Sequence, residues 1–157
     1  ALVWGDFTED KGTIDLYIGR SIKNRKLMIG YPDKDHGKHA VTHFKVIERF
    51  GYITLIECKL ETGRTHQIRA HLKHIGHPLF NDLEYGGDKV LKGTSFTKYK
   101  QFVENCFRLF PGQALHAKSL GFHHPTLNKE VNFDSELPDY FLEVLNKWRR
   151  YTNSSTF

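Results

Sequence analysis

"YITLIECKLETGRTHQIRAHLKHIGHP", residues 52–78, changes its period halfway along. Ile56, Cys58 and Leu60 alternate with Glu57, Lys59 and Glu61, the two-residue repeat of a strand with one buried and one wet face. Gly63 ends that strand. Beyond it Ile68, Leu72 and Ile75 recur at i, i+4 and i+7, a helical repeat stopped by Gly76 and Pro78, with Thr65 placed as N-cap. A half-buried strand running straight into a short helix points to an antiparallel sheet with helices packed on it.

The neighbouring segments agree. "VTHFKVIERFG" (41–51) is a second β-rich run separated from the first near Gly51, the strongest hairpin signal in the chain. "TIDLYIGR" (13–20) alternates Ile14, Leu16 and Ile18 with polar residues. "SIKNRKLMIGYPDKDHGKHA" (21–40) reads as loop with one short strand at Leu27–Ile29. "ALVWG", at the very start, looks like the middle of a strand. Downstream, "FTKYKQFVENCFRLF" (96–110) and "LPDYFLEVLNKWRRY" (137–151) are helix candidates, the latter with Pro138 near its first turn and Phe141, Val144, Leu145 and Trp148 on one face. Between them "ALHAKSLGFHHP" and "EVNF" flank the turn-like "TLNK", a second hairpin. The expected fold is α+β: a mixed, mainly antiparallel sheet with a few packed helices, one domain over residues 1–151 and a frayed tail over 152–157.

The 157 residues are 39% hydrophobic and 26% charged, enough for one domain with a real core. No apolar run approaches the ~20 residues of a membrane helix and no signal-peptide pattern opens the chain, which suggests a cytoplasmic protein. Cys58 and Cys106 are too few for a disulfide framework and sit among apolar residues. The net charge of +5 is unevenly spread: Lys23, Arg25, Lys26, Lys34, Lys38 and Lys45 stand against Asp33 and Asp35 between residues 21 and 45, as in a nucleic-acid footprint.

The basic crowd at 64–77 has four readings: metal site, catalytic group, polyanion grip or wet surface. For zinc a third ligand is missing, since at about 100° per residue His66 and His71 point apart and only His71 and His74 converge; no metal is expected. On the same wheel Arg69, Lys73 and His66 flank the apolar stripe. Arg69 lies next to buried surface, where a guanidinium needs a carboxylate or phosphate partner to offset its desolvation. Nucleophile elbows, P-loops and dinucleotide fingerprints are absent from the sequence. Bottom-up, the chain is an α+β domain with a basic helix start suited to binding phosphate.

"LETGRTHQIRAHL" followed by "GHPLFNDLEYGG" resembles the third motif, and its continuation, of the RluA-type pseudouridine synthases, which isomerise uridines in ribosomal and transfer RNA. "GKHAVTHFKVIERF", "GQALHAKSLGFHHP" and "ELPDYF" resemble the family's flanking segments, and "ALVWG" the end of its Tyr-x-Ala-x-Val-x-Gly segment. Two departures stand out. Asn81 replaces the usual Gly before Asp82, and the His-Arg-Leu-Asp string that carries the family's aspartate does not occur.

The resemblance implies an RNA pseudouridine synthase that needs no cofactor, here the C-terminal part of its catalytic domain and inactive alone; the alternative is a non-catalytic RNA-binding module. It puts Arg69 in the catalytic site as ion-pair partner of that aspartate, and so without a partner in this chain. Gly63 and Thr65 would shape the strand-to-helix turn. Arg64, His66 and Gln67 would touch RNA or order that turn, while Lys23, Arg25, Lys26, Lys34, Lys38 and Lys73 would follow the RNA backbone. Asp82 and Tyr85 are expected as turn and packing residues. A sheet interrupted at Ala1 would leave Leu2, Val3 and Trp4 uncovered, inviting self-association through the N-terminal strand.

Overall fold

The computed structural model describes residues 1–154. Five strands, β1 (Leu2–Trp4), β2 (Lys11–Arg20), β3 (Met28–Tyr31), β4 (Lys38–Arg49) and β5 (Ile53–Leu60), form one sheet in the order β1-β5-β4-β2-β3. Every pairing among the described strands is antiparallel. Helix α1 (Gln67–His74) follows β5 directly; α2 (Thr97–Leu109) and α3 (Asp139–Ser154) flank a separate hairpin of β6 (Ser119–His124) and β7 (Lys129–Asp134). The α+β architecture is the one the change of period at Gly63 foretells.

The alternation in β5 sorts the two faces. Ile56 pairs with Val46 and lies with Ile14, Val3, Leu72 and Leu79 in a core roofed by α1. On the opposite face Leu2, Trp4 and Ile53 meet α2 and α3 through Tyr99, Val103, Cys106, Phe141, Val144, Leu145 and Trp148. The four α3 residues placed on one face in sequence are all buried. Beyond the reach of those two helices the same face is polar: Asp15 meets His39 at 2.7 Å, and His43 joins Thr13 at 2.8 Å and Glu61 at 2.5 Å. Between Val46 and Glu48 the ladder slips by a bulge, and Arg149 of α3 grips Glu48 with both arms of its fork, at 2.8 and 2.6 Å.

Three expectations need correction. Leu2, Val3 and Trp4 are wholly buried. The outer edge of β1 is occupied too: Leu2 N donates to Ala114 O, Phe80 N to Leu2 O and Trp4 N to Pro78 O, so neither an open edge nor an apolar patch remains there for a second copy. The tail boundary at residue 152 falls inside α3, where Thr152 Oγ1 donates to Trp148 O at 2.9 Å; residues 155–157 lie outside those described. The short strand expected at Leu27–Ile29 is β3, shifted to Met28–Tyr31.

The loop from β3 to β4 crosses over β2 at its end. A Cβ on Gly19 would lie 1.9 Å from His36 O, and one on Gly37 2.7 Å from Ile18 C, so the two backbones touch where neither residue carries a side chain. The crossing brings Lys34 and Lys38 to the end of the sheet that already carries Lys23, Arg25 and Lys26 in the β2–β3 turn.

Candidate functional site

The strand-to-helix turn is built differently from its sequence signals. A Cβ added to Gly63 would meet nothing within 4 Å and its backbone is not left-handed, while Thr65 is exposed and caps nothing. The left-handed residue is His66, with φ of 53°. What closes the turn is Gln67, only 2% exposed. Its Oε1 accepts from Thr62 Oγ1 at 2.8 Å and Arg64 N at 2.9 Å; its Nε2 donates to Val41 O and Thr42 Oγ1, both at 3.0 Å. With all four contacts made inside the fold, Gln67 orders the turn and has no group left for RNA. Structural roles thus pass from Gly63 and Thr65 to His66 and Gln67.

Helix α1 has just two turns, and it is enclosed on more sides than one apolar stripe allows. Leu72 and Ala70 are buried, Ile75 lies outside the helix and is 36% exposed, and His71 takes its place in the core at 0%. Thr42 Oγ1, already accepting from Gln67, also hydrogen-bonds with His71 Nδ1 at 2.8 Å, and the Nε2 of that ring is buried without a partner among the described residues. Burial pushes the imidazole down to about 4, so it is neutral at ordinary pH. Among the described residues no group of three or more His, Cys, Asp or Glu side chains is placed to hold a metal. Neither thiol suits nucleophilic chemistry either: burial raises Cys58 and pushes Cys106 up to about 12.

Arg69 does have partners in this chain, contrary to the expectation from the missing aspartate. The turn after Phe80 wraps the guanidinium: Nε donates to Asp82 Oδ2 at 2.8 Å, Nη2 to Asp82 Oδ1 at 2.8 Å and to Glu84 Oε2 at 2.6 Å. The Tyr85 ring stacks with its centroid 4.5 Å from the guanidinium carbon. Asp82 is more than a turn residue, because its buried carboxylate neutralises a buried cation; it also accepts from Tyr85 N at 3.2 Å. Both carboxylates hold the Arg69 pKa well above its ordinary value. Nη1 has no acceptor among the described residues, and the Arg69 side chain is 9% exposed.

Tyr85 links this centre to the basic end of the sheet. Its hydroxyl accepts from Met28 N at 3.0 Å and hydrogen-bonds with His66 Nδ1 at 3.1 Å. Arg64 donates to His39 O at 3.0 Å, which lays its exposed side chain along the start of β4. Lys73 is exposed on the other side, its Nζ 3.6 Å from where a Cβ on Gly86 would stand. Lys23, Arg25, Lys26, Lys34 and Lys38 are all exposed. The need of Arg69 for an anionic partner and the clustering of basic residues were legible in the sequence, and the contact with Glu84 was not. The available signal was a pair of acids two apart in a turn, close after an arginine that needed a carboxylate.

Comparison with known proteins adds a family. Residues 2–74 match the RNA pseudouridylate synthase family. Over 156 residues the chain is 43% identical to an uncharacterized RNA pseudouridine synthase of Chlorobaculum parvum, covering 99% of this chain and 47% of that protein. It is 45% identical over 150 residues to the uncharacterized RNA pseudouridine synthase YlyB of Bacillus subtilis, covering 96% and 43%. With ribosomal large subunit pseudouridine synthase D of Pseudomonas aeruginosa it shares 42% over 151 residues, covering 96% and 44%. The chain thus spans about half the length of these curated relatives. A solved structure of human RNA pseudouridylate synthase domain containing 1 superposes with a TM-score of 0.65 at 26% identity, over 88% of this chain and 53% of that one. Human RNA pseudouridylate synthase domain containing 4, at 23% identity and a TM-score of 0.68, over 95% and 60%, shares the fold. Sequence identity along almost the whole chain, and a shared arrangement of sheet and helices, lead to one assignment: the chain belongs to the RNA pseudouridine synthase family.

Proposed function

We propose that this chain is the C-terminal part of the catalytic domain of a cytoplasmic enzyme that converts uridine to pseudouridine in ribosomal or transfer RNA without a cofactor, and that it is inactive alone. The observation that carries this reading is Arg69, buried and fixed by Asp82, inside the family's Gly63–Arg69 string. Pseudouridine formation breaks the bond from uracil N1 to ribose C1′, turns the base and rejoins it through C5. The base must leave its stack, which calls for a pocket and firm backbone contacts. The family's aspartate has no counterpart motif in this sequence. A second carboxylate within reach of Arg69 Nη1 would stay ionised and oriented, because a rigid cation at hydrogen-bond distance favours the charged form.

The test compares this 157-residue chain with the longer protein that also carries a His-Arg-Leu-Asp segment, on the same RNA. Pseudouridine is expected from the longer protein and not from the chain, and Arg69→Ala in the longer protein removes it. Turnover by the chain alone would sink this reading. The exposed basic loops also support a non-catalytic RNA-binding module; a parent gene without that segment would favour it.

A further inference from the structure

Three rings stand in one row across the polar part of the sheet. Tyr31 of β3 pairs with Tyr17 of β2, and Tyr17 with His39 of β4, so the register puts all three on one face. That face is turned away from α1. Gly30, next to Tyr31 in β3, points the other way, since a Cβ there would lie 2.8 Å from Leu16 Cδ1 and 3.2 Å from His74 Nδ1. A fourth ring joins from the loop that crosses β2: His36 stacks on Tyr31 with centroids 5.1 Å and planes 21° apart, while Tyr17 and His39 meet at 5.5 Å. Three of the rings are pinned. Tyr31 Oη donates to Arg20 O at 2.8 Å, His36 Nδ1 lies 3.0 Å from Asp33 Oδ1, and His39 Nε2 lies 2.7 Å from Asp15 Oδ1. Cross-strand rings commonly stabilise a sheet by packing together. Here much of the surface stays wet: 51% of the His36 side chain and 52% of that of His39 are exposed.

We propose that this row is a stacking surface for the bases of unpaired RNA, a second RNA contact on the sheet face opposite the helix that carries Arg69. Single strands are held where aromatic side chains on neighbouring strands of a sheet offer their faces to successive bases, with cations beside them for the phosphates. Both parts are present. Arg64 donates Nε to His39 O at 3.0 Å, which places a guanidinium at the β4 end of the row, and Lys34 lies in the loop between Tyr31 and His36 at the β3 end. Asp15 and Asp33 would oppose a phosphate, but each is engaged by a histidine. Because the rings are already held, a base that stacks on them freezes little further side-chain motion. A duplex gains nothing there, since its bases are stacked on one another. The inference rests on the reading that the chain acts on RNA, and it sets these nucleotides apart from the uridine that reacts.

Binding is measured by fluorescence anisotropy with an RNA of about eight nucleotides, alternating adenosine and cytidine, which offers no uridine to convert. Tyr31→Leu is expected to raise Kd about tenfold and Tyr31→Phe to leave it within about twofold. The slope of log Kd against log salt should be the same in both, since stacking releases no counterions. His36→Ala, a change in an exposed loop, should weaken binding in the same way without touching the sheet. An abasic strand of equal length should bind about as weakly as the complete strand binds Tyr31→Leu. Unchanged affinity in both Tyr31→Leu and His36→Ala overturns the proposal. So does an abasic strand or a duplex that binds as tightly as the complete single strand, because the backbone alone would then account for binding. A Tyr31→Phe chain as weak as Tyr31→Leu overturns it too, since the hydroxyl and not the ring would be the group that matters. Failure of the longer protein to make pseudouridine would count against the proposed function and leave these affinities as they are.

Discussion

Asn81 shows how much one side chain can add where the family usually has none. Its φ of 61° is the left-handed conformation that glycine adopts freely and asparagine tolerates, which is why the replacement costs the turn little. The amide then reaches across to the end of α2: Nδ2 lies 3.1 Å from Gly112 O, 3.3 Å from Phe107 O and 3.5 Å from Phe110 O. Asn81→Gly is expected to lower stability by ~1 kcal/mol, the ordinary worth of such bonding. Asn81→Asp should lower it further, since a carboxylate would face three carbonyl oxygens; urea midpoints of the two variants check the order. At this scale the sequence tells that Arg69 needs an anionic partner, because a guanidinium beside an apolar stripe cannot stay bare. It cannot tell which one. Asp82 and Glu84 reach Arg69 through a turn whose path depends on Asn81 and on packing far from the motif.

Helix α1 shows the same division between pattern and context. Its existence and its end at Gly76 were legible from spacing, since three apolar residues at helical intervals before a glycine admit few other readings. Its start was not: a threonine and a glycine carry the usual signals, yet Gln67 and the left-handed His66 do the work, through nearby Thr62 and through Val41 and Thr42 on a strand distant in sequence. The burial of His71 was equally hidden, because a wheel marks faces and takes no account of a helix enclosed on several sides. It has a measurable consequence. The His71 pKa lies near 4 in the fold and about 6.5 in an unfolded chain, so the unfolded state binds the extra proton between those values. Its contribution is complete above pH 6.5 and declines as pH falls toward 4. Urea midpoints should therefore be lower at pH 5 than at pH 7.5, with part of the decline absent in His71→Gln.

For the molecule as a whole, charge distribution was the most legible property, because a loop rich in Lys and Arg stays wet whatever its neighbours do. Topology decides only where it goes, and the register gathers Lys23, Arg25, Lys26, Lys34 and Lys38 at one end of the sheet. If these side chains meet RNA phosphates, affinity falls steeply with salt. Replacing Lys23, Arg25 and Lys26 by alanine should flatten the slope of log affinity against log salt by about 2, since each phosphate neutralised on a single strand contributes ~0.7 to it. An unchanged slope would place the RNA elsewhere. The open edge at β1 was the whole-molecule expectation that failed, since Leu79, Phe80 and Ala114 close it from far along the chain. That closure bears on synthesis. Leu2, Val3 and Trp4 leave a ribosome long before the residues that cover them, and closing such long loops is entropically slow. The apolar strand at the centre of the finished core therefore stays without its cover until residues 79–114 have followed it out.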